Sequence, residues 1–166
     1  ASTILSNGTI VGALVVVNAM GNVVDPVSGK FWAAPFELKN EFGGYGTPMN
    51  AIPGSMLKYS KLNSIKEGAN STIGIVATNA RITKSEAKRI ATSAHDGFSR
   101  AIMPSHLPYD GDLIFAVSTE EIETAHSNED FAELCHLSSV TMSRAIARAI
   151  YHASSNANDT LNCFQD

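Results

Sequence analysis

Only two cysteines occur in 166 residues, Cys135 and Cys163, and no CxxC spacing joins them. That argues against a disulfide scaffold and against a thiol-ligated zinc site. Cys135 lies on the apolar face of a helical pattern, so it reads as a buried free thiol in a reducing, cytoplasmic compartment. No HxxxH, HExxH or Cys/His cluster is present, which leaves no recognisable metal motif, and no cofactor is expected. Basic clusters are missing as well. Lys and Arg number 12 against 16 Asp and Glu, for a net charge of -4, which speaks against a nucleic-acid surface. No apolar run approaches the roughly 20 residues of a membrane-spanning helix. Residues 1–8 lack the basic start and apolar core of a signal peptide. No initiating Met opens the chain, and we expect a processed or excised piece of a longer product.

What is present is the composition of a globular domain, 44% apolar and 17% charged, in one domain's length of chain. Thr9 to Asn18 is a continuous β-branched run, the pattern of a strand buried on both faces. Gly21 and Asn22 turn the chain, and Val23-Val24 can begin a return strand. From Asp25 to Asn70 no period persists, and Pro and Gly punctuate the stretch. We read it as a linker, with Gly43-Gly44-Tyr45-Gly46 as a flexible part of it. A connection this long is usually functional.

Thr72 to Thr78 forms a second apolar strand. Thr83 and Glu86 then make a capping box, and a helix follows with Ala87, Ile90, Ala91, Ala94, Gly97, Phe98 and Ala101 on one side. It should stop near Ile102, ahead of Pro104. A loop from Pro104 to Asp112 feeds the strand Leu113–Ser118, followed by an exposed acidic loop around Glu120 and Glu121. A long helix is expected over Asn128 to Ser154, with a polar, frayed tail after it. Such strands and one-sided helices call for an α/β fold, with a sheet packed on a sheet or on helices and the helices outside. Strands this apolar need more neighbours than the chain supplies, so a partner segment is implied.

The junction Asn70-Ser71 carries the chemistry of greatest interest. A break there gives Ser71 a hydroxyl and a free α-amine on one residue, a nucleophile with its own base. Such an amine has a pKa of roughly 7.7–8.0, so part of it is neutral near pH 7, and amides become accessible without a triad. The plainer reading is a Ser-Thr pair opening a strand after an Asn-ended loop.

Around that junction stands Gly68-Ala69-Asn70-Ser71-Thr72-Ile73-Gly74-Ile75-Val76-Ala77-Thr78-Asn79. Ala94-His95-Asp96-Gly97, Arg100-Ala101-Ile102, His106 and Asp110-Gly111-Asp112-Leu113-Ile114-Phe115-Ala116 follow, and Gly12 to Gly21 precedes. Together these resemble the self-cleaving amidases that include D-aminopeptidase/esterases, β-peptidyl aminopeptidases and nylon-oligomer hydrolases, over nearly the whole chain and in the family's order. The resemblance implies a four-layer α-β-β-α sandwich similar to N-terminal nucleophile hydrolases. It implies a precursor cut at an Asn-Ser or Asn-Thr bond. Residues 1–70 would then end the α piece in a flexible linker, and 71–166 would be the β piece, together one domain. It also implies a multimer of α/β pairs, with most of the α piece supplied upstream. The family's Tyr, and the Lys of its nylon-hydrolase branch, have no counterpart here. Ser71 stands where near relatives of the motif often carry Thr.

Each site residue has a plainer alternative. Asn18 is either a polar strand end or an amide donor to a developing oxyanion, and the resemblance favours the second. Asp110 and Asp112 flank a turn-forming Gly. Spaced by two on an extended segment they can share one side, and in the family reading they hold the α-ammonium and hydroxyl in register. His95 reads as a hydrogen-bonded core histidine, and His106 lies on a Pro-broken loop. The Gly43–Gly46 stretch lacks the helix and Lys of a phosphate loop. The expected activity is hydrolysis of a peptide or amide with Ser71 as nucleophile. A non-catalytic module of the same fold, or a fragment inactive without its partner segment, is the alternative.

Overall fold

The sheet is assembled from two strands at the start of the chain and two later strands. In the computed structural model, residues 1–49, 56–61, 70–122, 127–157 and 162–166 are described. β1 (Ser2–Ile4) and β2 (Ile10–Val16) form an antiparallel pair, β3 (Ile73–Ala80) runs antiparallel to β2, and β4 (Leu113–Ile122) runs parallel to β3. The order is β1-β2-β3-β4. Helix α1 (Lys84–Ala101) makes the crossover that a parallel pair requires, and α2 (Asn128–Tyr151) closes the fold. The chain is α/β, as its pattern predicts.

Both helices cover one face of the sheet. Val11, Ala13, Val76 and Ile114 point inward and share a core with Ile90, Ala94 and Phe98 of α1 and Leu134, Met142 and Ile146 of α2. Gly97 permits the close approach of the two helices: a Cβ there would sit 2.5 Å from the Ser139 carbonyl oxygen and 2.8 Å from Met142 Cβ. Buried serines of α2 bond back into their own helix. Ser138 Oγ donates to the Leu134 carbonyl at 2.7 Å, and Ser143 Oγ donates to the Val140 carbonyl at 2.8 Å. These bonds let hydroxyls sit in the core without an unpaired group.

The opposite face of the sheet corrects one sequence expectation. β2 was expected to be buried on both faces, yet its apolar run alternates between the helices and open surface. Leu14 is 72% exposed and Val16 69%. They pair across strands with Ile75 and Ile73, which in turn pair with Phe115 and Leu113, so six large apolar side chains form one uncovered surface among the described residues. β-Branched composition alone cannot tell a strand with two covered faces from one whose second face meets another segment.

Three further expectations change. Val23-Val24 starts no strand; Val24 makes a single bridge to Phe31 and Asn22 one to Met103. The acidic stretch at Glu120 and Glu121 belongs to β4, where a register shift and a left-handed Glu120 (φ 56°) let an edge strand carry charge outward. The C-terminal tail docks rather than frays: Phe164 packs its ring 4.7 Å from Phe31, and Gln165 Nε2 donates to the Tyr151 carbonyl at 2.8 Å.

Residues 25–49 carry no long element, as expected, but they are packed. Phe31 and Phe42 are fully buried in edge contact, their centroids 5.3 Å apart. The glycine stretch that reads as flexible from sequence is a held turn. Gly43, Gly44 and Gly46 take positive φ, and the Glu37 carboxylate accepts from the amides of Phe42 and Gly44 at 2.8 and 3.0 Å. The end of the expected linker, residues 62–69, lies outside the described residues. Cys135 and Cys163 are both free thiols, and burial pushes the Cys135 thiol above its ordinary pKa. No helix among the described residues is long and apolar enough to cross a membrane.

Both long helices begin at capping boxes. The one at Thr83 and Glu86 is legible in sequence, and the one at Ser127 and Asp130 is its equivalent on α2. Thr83→Ala removes the acceptor for the Glu86 amide. It is expected to cost about 1 kcal/mol, read as a lowered urea midpoint with an unchanged slope.

Candidate active site

Strand direction gathers the site. β2 ends where β3 begins because the two are antiparallel, and β4 begins beside β3 because those two are parallel. Asn18, just past β2, therefore meets Asn70-Ser71, just before β3, and Asp110-Gly111-Asp112, just before β4. The candidate residues Asn18, Asn70, Ser71, Asp110 and Asp112 all lie at this one end of the sheet.

The Asn70–Ser71 peptide sits at the centre, in the uncut chain. Ser71 Oγ donates to the Asn70 carbonyl oxygen at 2.7 Å. That same oxygen accepts from the Gly111 amide at 3.0 Å, and the Ser71 amide donates to the Asn18 carbonyl at 2.9 Å. Asn70 is buried at 6% exposure, while Ser71 is half-buried. The oxygen and nitrogen of this peptide bond are thus both fixed by main-chain partners.

Asn18 contacts Ser71 through its main chain. Its side-chain Oδ1 accepts from Lys61 Nζ at 3.0 Å. An ammonium can bond only the oxygen of the amide, so this contact fixes which edge of the Asn18 amide presents N–H groups. Burial holds the Lys61 ammonium below its usual pKa, and the negative charge of Asp110 pulls it partly back. Sequence reasoning missed Lys61, since nothing local marks a lysine in an aperiodic stretch as facing Asn18.

The two aspartates do not have the same partners. Asp110 uses Oδ1 to accept from the Met20 amide at 3.1 Å and Oδ2 to accept from the Leu107 amide at 3.0 Å. It ties the loop after β2 to the loop before β4. Asp112 accepts from the Thr72 amide at 3.0 Å, one residue past the nucleophile candidate, and its other oxygen lies 2.9 Å from His106 Nδ1. The histidine thus faces Asp112. His106 is half-stacked against His95, at 5.3 Å, and Phe98, at 5.7 Å. Burial lowers the His95 pKa, with a further push from His106 and opposing pulls from Asp112 and Asp96. His95 is a ring-packed histidine at the edge of the core. Beside the site, Val17, Val23, Val24, Lys61 and Ile150 line a cavity of about 320 Å³. Among the described residues no group of three or more His, Cys, Asp or Glu is placed to hold a metal ion.

Comparison with known proteins gives this arrangement its context. Residues 1–161 match peptidase family S58. An uncharacterised aminopeptidase of Mycobacterium tuberculosis is 43% identical over 119 residues, covering 72% of this chain and 34% of that protein. A 6-aminohexanoate-oligomer endohydrolase of an Agromyces species is 39% identical over 59 residues, 36% of this chain and 17% of that protein. Among solved structures, a Burkholderia β-aminopeptidase aligns with a TM-score of 0.47 at 19% identity, covering 90% of this chain and 40% of that one. The chain spans about a third of the length of the curated aminopeptidases it matches.

Proposed function

The chain belongs to peptidase family S58, and from that premise we propose that it is the nucleophile-bearing part of a self-processing amide hydrolase. The observation that carries the reading is the Ser71 hydroxyl lying on the carbonyl oxygen of the residue before it, at the one end of the sheet where Asn18, Asp110 and Asp112 also converge. Ser71 Oγ attacks the Asn70 carbonyl carbon, the acyl group moves from nitrogen to oxygen, and water releases the ester. Ser71 then begins a new chain. Its α-amine takes the proton from its own hydroxyl as that oxygen attacks a substrate amide or ester.

Asn18 serves this chemistry twice in our reading. Its main-chain carbonyl, which holds the Ser71 amide in the uncut chain, holds the amine afterwards. Its side-chain amide, oriented by Lys61, donates to the oxyanion of turnover. Asp110 and Asp112 fix the loops on either side of the amine, and their charge favours its protonated form between turnovers. The substrates are peptides or amides with a free amino end, or short amide oligomers, in keeping with the named activities of the relatives. No cofactor takes part. The open apolar face of the sheet is covered, in this reading, by a second sheet from the part of the relatives' length that lies outside this chain, completing a four-layer sandwich, and the α/β pairs associate as multimers.

Denaturing electrophoresis with intact mass measurement tests the proposal. Two pieces are expected, the second starting at Ser71. A single uncut chain that also fails to react with a serine-directed acylating reagent would refute it. In the cut protein, Asn18→Ala keeps the main-chain contact and removes only the amide. It is expected to lower kcat by about 10²–10³-fold, with little change in KM, in a steady-state assay on a chromogenic amide.

A further inference from the structure

We infer that the main-chain amide of Gly111 is the oxyanion donor for the self-cleavage step, a role separate from that of Asn18 in turnover. This rests on the self-processing reading above. The Asn70 carbonyl oxygen is the atom that becomes negatively charged when Ser71 Oγ adds to its carbon. In the uncut chain that oxygen already accepts from the Gly111 amide at 3.0 Å, within the range over which an oxyanion donor works. The donor is held by the sheet itself. Asn70 and Asp110 form a parallel bridge just beyond β3 and β4. One rung further in, the Leu113 amide donates to the Thr72 carbonyl at 3.0 Å. The scissile carbonyl is therefore the terminal rung of the β3–β4 ladder, and its donor needs no rearrangement when charge develops.

A second observation singles out residue 111. A Cβ added there would lie 2.5 Å from Ser71 Oγ. Any other residue would push the hydroxyl off the carbonyl that it must attack. Glycine at this position keeps the N–H on the scissile oxygen while leaving room for the nucleophile beside it, which an ordinary sheet rung does not require.

The step balances as follows. The Oγ–C bond forms as the carbonyl π pair moves onto oxygen, where the Gly111 N–H meets it. The C–N bond then breaks, its pair stays on the Ser71 nitrogen, and the proton lost from Oγ ends on that nitrogen. The product is an Asn70 ester of Ser71 with a free amine. Water attacks the ester, the C–Oγ bond breaks, and Asn70 leaves as a carboxylate while Oγ regains a proton.

The test is an amide-to-ester exchange in the full-length protein. Residue 111 is replaced by glycolic acid, which has no N–H and no added side chain. The control replaces Leu113 by its α-hydroxy analogue, which deletes the neighbouring rung without touching the scissile oxygen. Self-cleavage is followed by mass spectrometry after synthesis, and folding by thermal unfolding. The Gly111 exchange is expected to slow cleavage by about 10²–10³-fold, and the Leu113 exchange by less than about 10-fold, with similar losses of stability. Equal slowing in both, or cleavage at the unaltered rate in the Gly111 exchange, overturns the inference while leaving self-processing intact. An unaltered protein that never cuts between Asn70 and Ser71 overturns the self-processing reading, and this inference with it.

Discussion

A Ser71→Ala chain is expected to remain in one piece and to hydrolyse no amide, with its fold unchanged. Both losses have a single origin in the proposed mechanism, where the oxygen that opens the Asn70 peptide is the oxygen that later attacks substrate. The fold should tolerate the change because, among the described residues, the hydroxyl bonds only the carbonyl of its own neighbour at 2.7 Å, and Ser71 is half-buried. Removing a partly solvated hydroxyl without leaving a buried group unpaired costs little. Ser71→Thr retains the oxygen and is expected to keep both activities at reduced rate, since the added methyl must fit beside a hydroxyl that Gly111 already approaches closely. Intact mass reports cleavage, and a chromogenic amide assay reports turnover. A Ser71→Ala protein that is cut at the same bond, or that turns over substrate above background, would remove the nucleophile from the proposal.

The second large effect concerns the fold. Arg144 is 4% exposed, yet it carries a full charge beneath the sheet. Its guanidinium donates from Nε and Nη2 to the two oxygens of Glu41, and from Nη1 to the Ser2 carbonyl at 2.9 Å and Thr3 Oγ1 at 2.8 Å. Arg148 adds a third bond to Glu41 at 3.0 Å. One side chain of α2 thus ties the aperiodic stretch at Glu41 to β1 and to the core. Arg144→Met is expected to cost about 3–5 kcal/mol, because it removes two of the four bonds to the largely buried Glu41 carboxylate and leaves the Ser2 carbonyl without its guanidinium donor. Urea unfolding measures it.

Acid provides an independent check on the same cluster. Burial alone would raise the Glu41 pKa, but the bonds from Arg144 and Arg148 outweigh it and hold the carboxyl below its ordinary range. A depressed carboxylate contributes stability that is complete above its unfolded pKa of about 4.3 and is lost as the pH falls through the folded value. Stability measured from about pH 6 to pH 3 should therefore fall more steeply in the parent chain than in Glu41→Gln, with the gap between them closing in acid. A gap of constant size across that range would mean that Glu41 does not titrate against these arginines.

Much of the architecture is written locally. The capping box at Thr83, the apolar stripe of α1 and its stop before Pro104 each depend on residues within a few positions of one another, and the structure follows them closely. The gathering of Asn18, Ser71, Asp110 and Asp112 is not local: the family resemblance implies it, and strand direction brings the four positions to one end of the sheet. Other features have no local signature. Ser2–Ile4 is too short to show a period, and it is a strand because β2 offers it an edge. Phe31 and Phe42 lie in a stretch that reads as linker, and only the packing of Phe31 against Phe42, Phe164 and Tyr151 reveals them as core.

The sequence by itself determined the chemistry available at residue 71, the identity of the two aspartates, and the helices that carry the core, since those depend on residue type and short-range periodicity. Tertiary structure alone decided which groups meet. Strand direction put Gly111 on the Asn70 carbonyl, set His106 against Asp112 rather than Asp110, and brought Lys61 to Asn18. Pairing register and strand direction are long-range choices, fixed by which faces the helices cover, and neighbouring residues in the chain do not encode them.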